Sequence, residues 1–566
     1  MKNAVWFLSA AIWVSACSPT GSRSEQGLFS PSPAAAPAAD GTTIANSSAT
    51  KKLTSLGLDQ GSDLNLRITA GDGTTLAGYV IVPLGATDQT RQLHPTVLLV
   101  SPYGVAANLY LIQAARLALS GYIVVGITLR GIADSGGYLD LCGENDLNDA
   151  RTWIDWTLSH TAADPQRLAM AGVSHGACVA LLTAARDDRV RAAGSLSGWS
   201  DFGSFMRRNG TAPGAWATFL KSLAAVQSRF DNYAADLIAR NGTYQVSDAE
   251  RHQYADHRSP LYQLDTMNRR DFPVFMHIAL EDNMFWVDDG IRFFNGLTNS
   301  RKQLRIHHGE HASNETPANF GLPNEAWDDL FAWLGEVLKG DAPAPRAPIE
   351  VAVQNSTQKI SIANFADVGA RPATWQLAPD ALTGVGTMGA STGPYTAGYT
   401  HVIANNKVNN VSPGLGMIGT IAEATLGLPY FKFLLTVDPT KVATFASEPF
   451  AADQMLFGGS TAKIWVQPST TNFQLNAYLY RLDVTGTMLF PITHGPVTTF
   501  AGTPDQPELV TIPMIFTACH LGPGERLVLA LGTYDPYYQS PNDAPYALSL
   551  ISDAAHPSTL GLSFLP

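Results

Sequence analysis

The segment Gly172-Val173-Ser174-His175-Gly176 constrains this chain more than any other, because it joins a strand-like run, Arg167 to Ala171, to a helix-like run, Ala177 to Ala185. A strand that turns straight into a helix through G-x-S-x-G holds its serine in a strained backbone conformation, and glycine on both sides avoids a clash. The strain lifts the Ser174 hydroxyl above the sheet. It also leaves Ser174 at the positive end of the following helix, where the His175 amide faces a developing oxyanion. Glycine and serine are common, so it is the strand-turn-helix setting that makes Ser174 a candidate nucleophile.

An elbow of this kind needs a sheet beneath it, and the flanking sequence predicts one. Strand-like runs lie at Leu64 to Thr69, Thr75 to Val82, Thr96 to Ser101, Tyr122 to Thr128, Arg167 to Val173 and Val190 to Leu196. Leu109 to Ser120 and Leu147 to Leu158 read as helices between them. Apolar strands alternating with helices imply an α/β domain with a mostly parallel sheet covered on both faces. Residues 200–258 break the rhythm with helix-prone segments at Phe219 to Asn232, Tyr233 to Arg240 and Ser247 to His257, the pattern of a helical cap that shapes a substrate pocket. The alternation resumes at Pro273 to Leu280, Asp288 to Leu297, Gln303 to His307 and Glu325 to Leu338.

At 566 residues the chain exceeds the roughly 250–300 residues at which one core stops growing. A second domain follows. Residues 341–348 are proline-rich and read as a linker, and residues 349–566 carry short strands with turn residues between them, the pattern of an all-β sandwich. The α/β domain is accordingly expected over 56–340.

The N-terminus predicts export. Lys2, an apolar run from Ala4 to Val14 and the small residues Ser15-Ala16 before Cys17 form a signal over residues 1–16, and residues 17–55, rich in Ser, Pro, Ala and Gly, read as a flexible tether. The segment resembles a bacterial lipoprotein signal in which Cys17 carries the lipid. By that resemblance Ser18, in place of Asp, favours outer-membrane anchoring, on the periplasmic face or the cell surface. No later stretch is apolar enough to span a bilayer, so contact with membrane is expected through the lipid alone. A net charge of −12, with no basic cluster, argues against nucleic acid. Of the remaining cysteines, Cys178 reads as a buried thiol; whether it pairs with Cys142 stays open.

A serine hydroxyl needs a histidine to take its proton and a carboxylate to stabilise the imidazolium, in the chain order Ser, acid, His for this fold class. The strand Pro273 to Leu280 ends at Glu281-Asp282-Asn283, which makes Asp282 the candidate acid, with Glu281, Asp288 and Asp289 as competitors. After Gln303 to His307 comes His308-Gly309-Glu310-His311, which makes His311 the candidate base and His308 its main competitor. A zinc site of the H-E-x-x-H type does not fit, since Glu310 precedes the second histidine and Gly309 disfavours a helix. The second oxyanion donor normally follows the third strand, where Ser101-Pro102-Tyr103 offers a phenol; an isolated tyrosine there, read by itself, more often packs against the cap.

These motifs together resemble the cocaine esterase and Xaa-Pro dipeptidyl-peptidase family of serine hydrolases. The resemblance rests on Ser101-Pro102-Tyr103, Arg130-Gly131 with Asp134-Ser135-Gly136-Gly137, the elbow, Glu281-Asp282-Asn283 and Phe293-Phe294-Asn295. It extends to Phe473 through Tyr480, Ile492 through Pro496, Pro523 through Leu527 and Tyr534-Asp535-Pro536, which look like that family's C-terminal jelly roll. It implies an α/β-hydrolase fold with a helical cap, then an all-β jelly-roll sandwich. It also implies a triad of Ser174, Asp282 and His311, an oxyanion hole of Tyr103 and the His175 amide, and no cofactor. Arg130 and Asp134 read as structural support beneath the site. His175 stands where the family usually has tyrosine, the family's tryptophan-rich histidine loop is replaced, and the stretch from about Ser391 to Val437 does not align with the pattern.

The expected activity is hydrolysis of an ester or amide in a small molecule or short peptide through an acyl-serine. Proline-specific dipeptidyl-peptidase activity is the alternative. It would require a carboxylate pair in the cap for the substrate ammonium, and Asp201, Asp231, Asp236, Asp248, Glu250 and Asp256 offer no distinctive pair. A non-enzymatic surface-binding lipoprotein is the remaining reading.

Overall fold

The computed structural model describes residues 61–83, 92–343, 346–379, 385–390, 399–405, 411–412, 430–542 and 544–566. The signal segment, Cys17 and the tether expected over 17–55 lie outside the described residues, as does most of 391–437.

The first domain is a ten-stranded sheet. In chain order its strands are β1 (Asp63–Thr69), β2 (Thr75–Ile81), β3 (His94–Val100), β4 (Ile123–Ile127), β5 (Ala163–Val173), β6 (Ala192–Leu196), β7 (Val274–Ala279), β8 (Lys302–His307), β9 (Ile349–Ala352) and β10 (Lys359–Ile362). They are arranged β1-β2-β4-β3-β5-β6-β7-β8-β9-β10, parallel from β4 through β9 and antiparallel at both edges. The central strands are buried on both faces, so they read as continuous apolar runs. Val97, Leu98, Leu99 and Val100, for example, are fully buried. The helices α1 (Leu111–Leu119), α2 (Glu144–His160) and α3 (His175–Arg186) cross between strands as the sequence predicts.

Between β6 and β7 the cap consists of α4 (Phe202–Met206), α5 (Gly214–Gln227), α6 (Asn232–Gly242) and α7 (Asp248–Ala255). Asp201, Asp231 and Ser247 accept backbone amides at the starts of α4, α6 and α7, which fixes where each helix begins.

The first strands after the linker join the α/β sheet: β9 pairs in parallel with β8 and antiparallel with β10, so residues 349–362 extend that sheet at its edge. An apolar strand pattern is the same whichever sheet edge the strand joins, and only the pairing decides.

The described strands from Arg371 to Phe564 form the all-β domain. Its strand Phe473–Leu482 is buried on both faces: Leu475, Ala477 and Leu479 enter one core and Tyr478, Tyr480 and Leu482 another. This domain grips the cap. The amide of Thr498 donates to Asn209 (3.1 Å), that of Gln539 to Ala212 (2.9 Å) and that of Ala215 to Tyr537 (3.1 Å). The Tyr244 hydroxyl adds a bond to the Gln539 carbonyl (2.5 Å). The cap is thus held between the two domains.

Candidate active site

β5 ends at Val173 and α3 begins at His175, so Ser174 is the whole turn, with φ 58° and ψ −118°. The neighbouring glycines have a steric reason. A Cβ on Gly176 would stand 2.1 Å from the Val100 carbonyl oxygen, and one on Gly172 would stand 2.6 Å from the Gly176 backbone. Both contacts are with backbone, which cannot yield. The Ser174 amide donates to the Leu196 carbonyl of β6 at 2.8 Å, fastening the turn to the adjacent strand. As the first residue of α3, His175 has no carbonyl one helical turn back for its amide, which stays available at the positive helix end.

Asp282 lies three residues beyond β7 and is fully buried. Its Oδ1 accepts the amides of Met284 (2.9 Å) and Phe285 (2.8 Å), which hold the carboxylate in one orientation. Its Oδ2 stands 2.9 Å from Nδ1 of His311, and Nε2 of His311 stands 2.9 Å from Oγ of Ser174. With a carboxylate as acceptor, Nδ1 carries the proton and Nε2 accepts from the serine hydroxyl. The imidazole lies between two ring edges, Phe285 at 4.8 Å and Trp216 at 5.8 Å between centroids. Trp216, on α5, donates to the Asn283 side chain at 2.6 Å.

The competing residues have other partners. His308 faces Glu281, and His307 packs on His277 with its pKa pushed down to about 4 by burial. Glu281 also accepts the Gly309 amide and a Gln354 side-chain N–H. Asp288 accepts the Phe516 amide of the all-β domain, and Asp289 pairs with Arg208.

Tyr103 sits at the expected place after β3, partly buried beside Phe230, and its hydroxyl donates to the Leu220 carbonyl of α5 at 3.2 Å. Its phenol is pushed above the ordinary range by burial. The His175 side chain points away from solvent, stacked on Trp199 at 5.5 Å, with Nε2 3.1 Å from the Cys142 amide nitrogen and 3.2 Å from Asp146. Arg130 clasps Asp149 with two bonds of 2.7 and 2.6 Å and reaches Asp72, while Asp134 pairs with Arg67 at the surface. Arg130 therefore supports the fold beneath the site, through a different carboxylate from the one in its own loop. Cys142 and Cys178 are buried free thiols in mutual contact, both pushed up by burial.

Trp216, Asn283 and Phe285 escape sequence reasoning, because a cap residue's reach onto a loop about seventy positions later leaves no local pattern.

Two family models match the chain: the X-Pro dipeptidyl-peptidase (S15 family) over residues 72–313, and the X-Pro dipeptidyl-peptidase C-terminal non-catalytic domain over residues 343–560. Among solved structures, an aminopeptidase from a marine sediment archaeon of the Thaumarchaeota is similar, at TM-score 0.68 and 12% identity over 94% of this chain and 99% of that one. A CocE/NonD family hydrolase from Staphylococcus aureus is similar at TM-score 0.65 and 13% identity, over 89% and 94% of the two chains. An α-amino acid ester hydrolase gives TM-score 0.65 and 15% identity, over 88% and 95%. At such identities these likenesses concern the fold.

Proposed function

Because the chain belongs to the X-Pro dipeptidyl-peptidase (S15) family of serine hydrolases, we propose that it cleaves esters or amides through an acyl intermediate on Ser174. The observation that carries this reading is the continuous path from Ser174 Oγ to His311 Nε2 and from His311 Nδ1 to Asp282 Oδ2, each step 2.9 Å.

In the proposed cycle His311 takes the Ser174 proton as the oxygen attacks the substrate carbonyl, and Asp282 stabilises the imidazolium so formed. The His175 amide, with the Tyr103 hydroxyl turned from Leu220, holds the tetrahedral oxyanion. Collapse breaks the bond to the leaving alcohol or amine, which takes its proton from His311. Water then attacks the acyl-serine, with His311 again as base. These steps call on side chains and backbone only.

Broad ester or amide hydrolysis is favoured over strict dipeptidyl-peptidase activity by the state of the cap carboxylates. Asp201 pairs with Arg292, Asp236 and Glu250 with Arg240, Asp248 with Arg251 and Asp256 with His252, while Asp231 caps α6. None of these is left to bind a substrate ammonium without giving up a partner. The ring of Phe285, its centroid 5.3 Å from that of Trp199 and 5.2 Å from that of Phe205, favours an apolar group beside the triad. The family description itself favours the Xaa-Pro amide as the second reading. We place the enzyme as an exported lipoprotein held to the outer membrane through Cys17.

The test is labelling of the purified mature protein with a fluorophosphonate, alongside hydrolysis of aryl esters, amino-acid esters and Xaa-Pro anilides. The proposal expects labelling that Ser174→Ala abolishes, and turnover of aryl esters. Labelling that persists in Ser174→Ala contradicts it, and turnover confined to Xaa-Pro anilides favours the second reading.

A further inference from the structure

Beneath the site lies a buried polar cluster to which the proposed cycle assigns no part. Glu315, four residues after His311, is 2% exposed, and its Oε1 accepts from the Ser197 hydroxyl at 2.8 Å and from Nδ1 of His277 at 3.0 Å. Ser197 and His277 are equally buried. Burial by itself would push the Glu315 carboxyl up, but His277 and the Ser197 hydroxyl outweigh it and leave the group below its ordinary range. A carboxylate held in an apolar interior needs such partners, and removing them leaves an unsatisfied group.

The position of these partners matters more than their chemistry. Ser197 directly follows Leu196, whose carbonyl holds the Ser174 amide. It adopts φ 46°, a left-handed conformation disfavoured for serine, and its amide donates to the His277 carbonyl at 2.8 Å. On the other side, Glu315 closes the turn that presents His311. Thr316 returns its amide and hydroxyl to the Ala312 carbonyl, at 3.2 and 2.6 Å, and the Trp327 indole donates to the Glu315 carbonyl at 3.3 Å. Ala312 itself sits at φ 54°. One carboxylate oxygen therefore joins the strand end that holds the nucleophile to the loop that holds the base, across 118 residues of sequence.

We propose that Glu315 is a positioning residue that sets the Ser174–His311 distance, with Ser197 and His277 as its anchors. The inference rests on the reading of Ser174 as nucleophile and His311 as base. Proton transfer depends steeply on that distance, and a displacement of about 1 Å costs on the order of 100-fold in rate. Gly309 and His311 tie the same loop to Glu281 and Asp282 beyond β7, whereas Glu315 ties it to Ser197, next to the strand end that holds the nucleophile.

The test measures the rate of fluorophosphonate labelling, and kcat and KM for an aryl ester, in Glu315→Ala, Glu315→Gln and Ser197→Ala. Thermal melts normalise each variant to folded protein. Glu315→Ala is expected to lose about 10- to 100-fold in labelling rate and kcat, with KM within about threefold. Glu315→Gln, which keeps an acceptor oxygen for both anchors, restores the rate to within about fivefold of the original. Ser197→Ala loses about threefold or more alone and nothing further in the Glu315→Ala background, because the two act through one bond. Should Glu315→Ala fail to fold, Ser197→Ala against Glu315→Gln carries the comparison. Wild-type rates in folded Glu315→Ala and Ser197→Ala, or a loss that follows folded fraction alone, would overturn the proposal. If the wild-type protein shows no Ser174-dependent labelling, it is the underlying hydrolase reading that fails.

Discussion

The indole N–H of Trp216 donates to the side-chain oxygen of Asn283 at 2.6 Å, which ties the cap to the residue that follows Asp282. Both side chains are buried, and the same helix starts with a backbone bond to Tyr537 of the all-β domain. The cap, the acid loop and the second domain therefore meet within two residues of one another along α5.

Replacing Trp216 by Phe keeps much of the ring contact with His311 but removes this bond. A buried hydrogen bond contributes about 0.5–1.5 kcal/mol, so kcat/KM for an aryl ester should fall by about 3- to 10-fold. An unchanged kcat/KM would show that the cap does not steady the acid loop.

The three histidines near β8 separate by their partners. His311→Ala should reduce kcat by at least about 1000-fold, because it removes the proposed base. His308, half exposed and facing Glu281, should tolerate alanine with kcat within about threefold. A reversal of these two results would reassign the base.

Tyr103 has two possible duties, and kinetics distinguishes them. If its hydroxyl leaves Leu220 for the oxyanion, Tyr103→Phe lowers kcat by about 10- to 1000-fold with KM within about threefold. A rise in KM at constant kcat would instead assign the hydroxyl to cap closure alone.

Asp288 should make the contact between the domains sensitive to pH. Burial pushes its carboxyl from 3.8 up to about 6, against the Phe516 amide that donates to it. Between about pH 4 and 6 the folded protein keeps a proton there that the unfolded chain has released. The contribution of this group to stability is therefore full below pH 4 and lost as pH rises through 6. Asp288→Asn keeps the acceptor without the charge, so it should melt higher than wild type at pH 8, by an amount on the order of 1–3 kcal/mol, and equal to it near pH 4. A melting difference that does not vary with pH would refute this assignment.

Much of this architecture is legible in the sequence because its local rules are steric. The elbow glycines are dictated by the Val100 carbonyl and by one another, so the motif could be read from five residues. Asp282 follows from the strand before it, since an acid loop must start where β7 ends. The histidine is harder to place: His307 ends β8, His308 and His311 lie in the loop that follows, and partners from other elements tell them apart. That residues 349–362 pair with the edge of the α/β sheet is not legible either, because pairing with β8 leaves no mark on an apolar strand. Glu315 and Ser197 are 118 positions apart, and no periodicity points from one to the other.

The central claim is a covalent bond to one serine. Intact-protein and peptide mass spectrometry of the enzyme quenched during turnover of a slowly deacylating aryl ester tests it most directly. The account predicts one added acyl group on the peptide that contains Ser174, discharged as product forms and absent from Ser174→Ala. Release of product with no acylated protein, or an acyl group on any other residue, would contradict it.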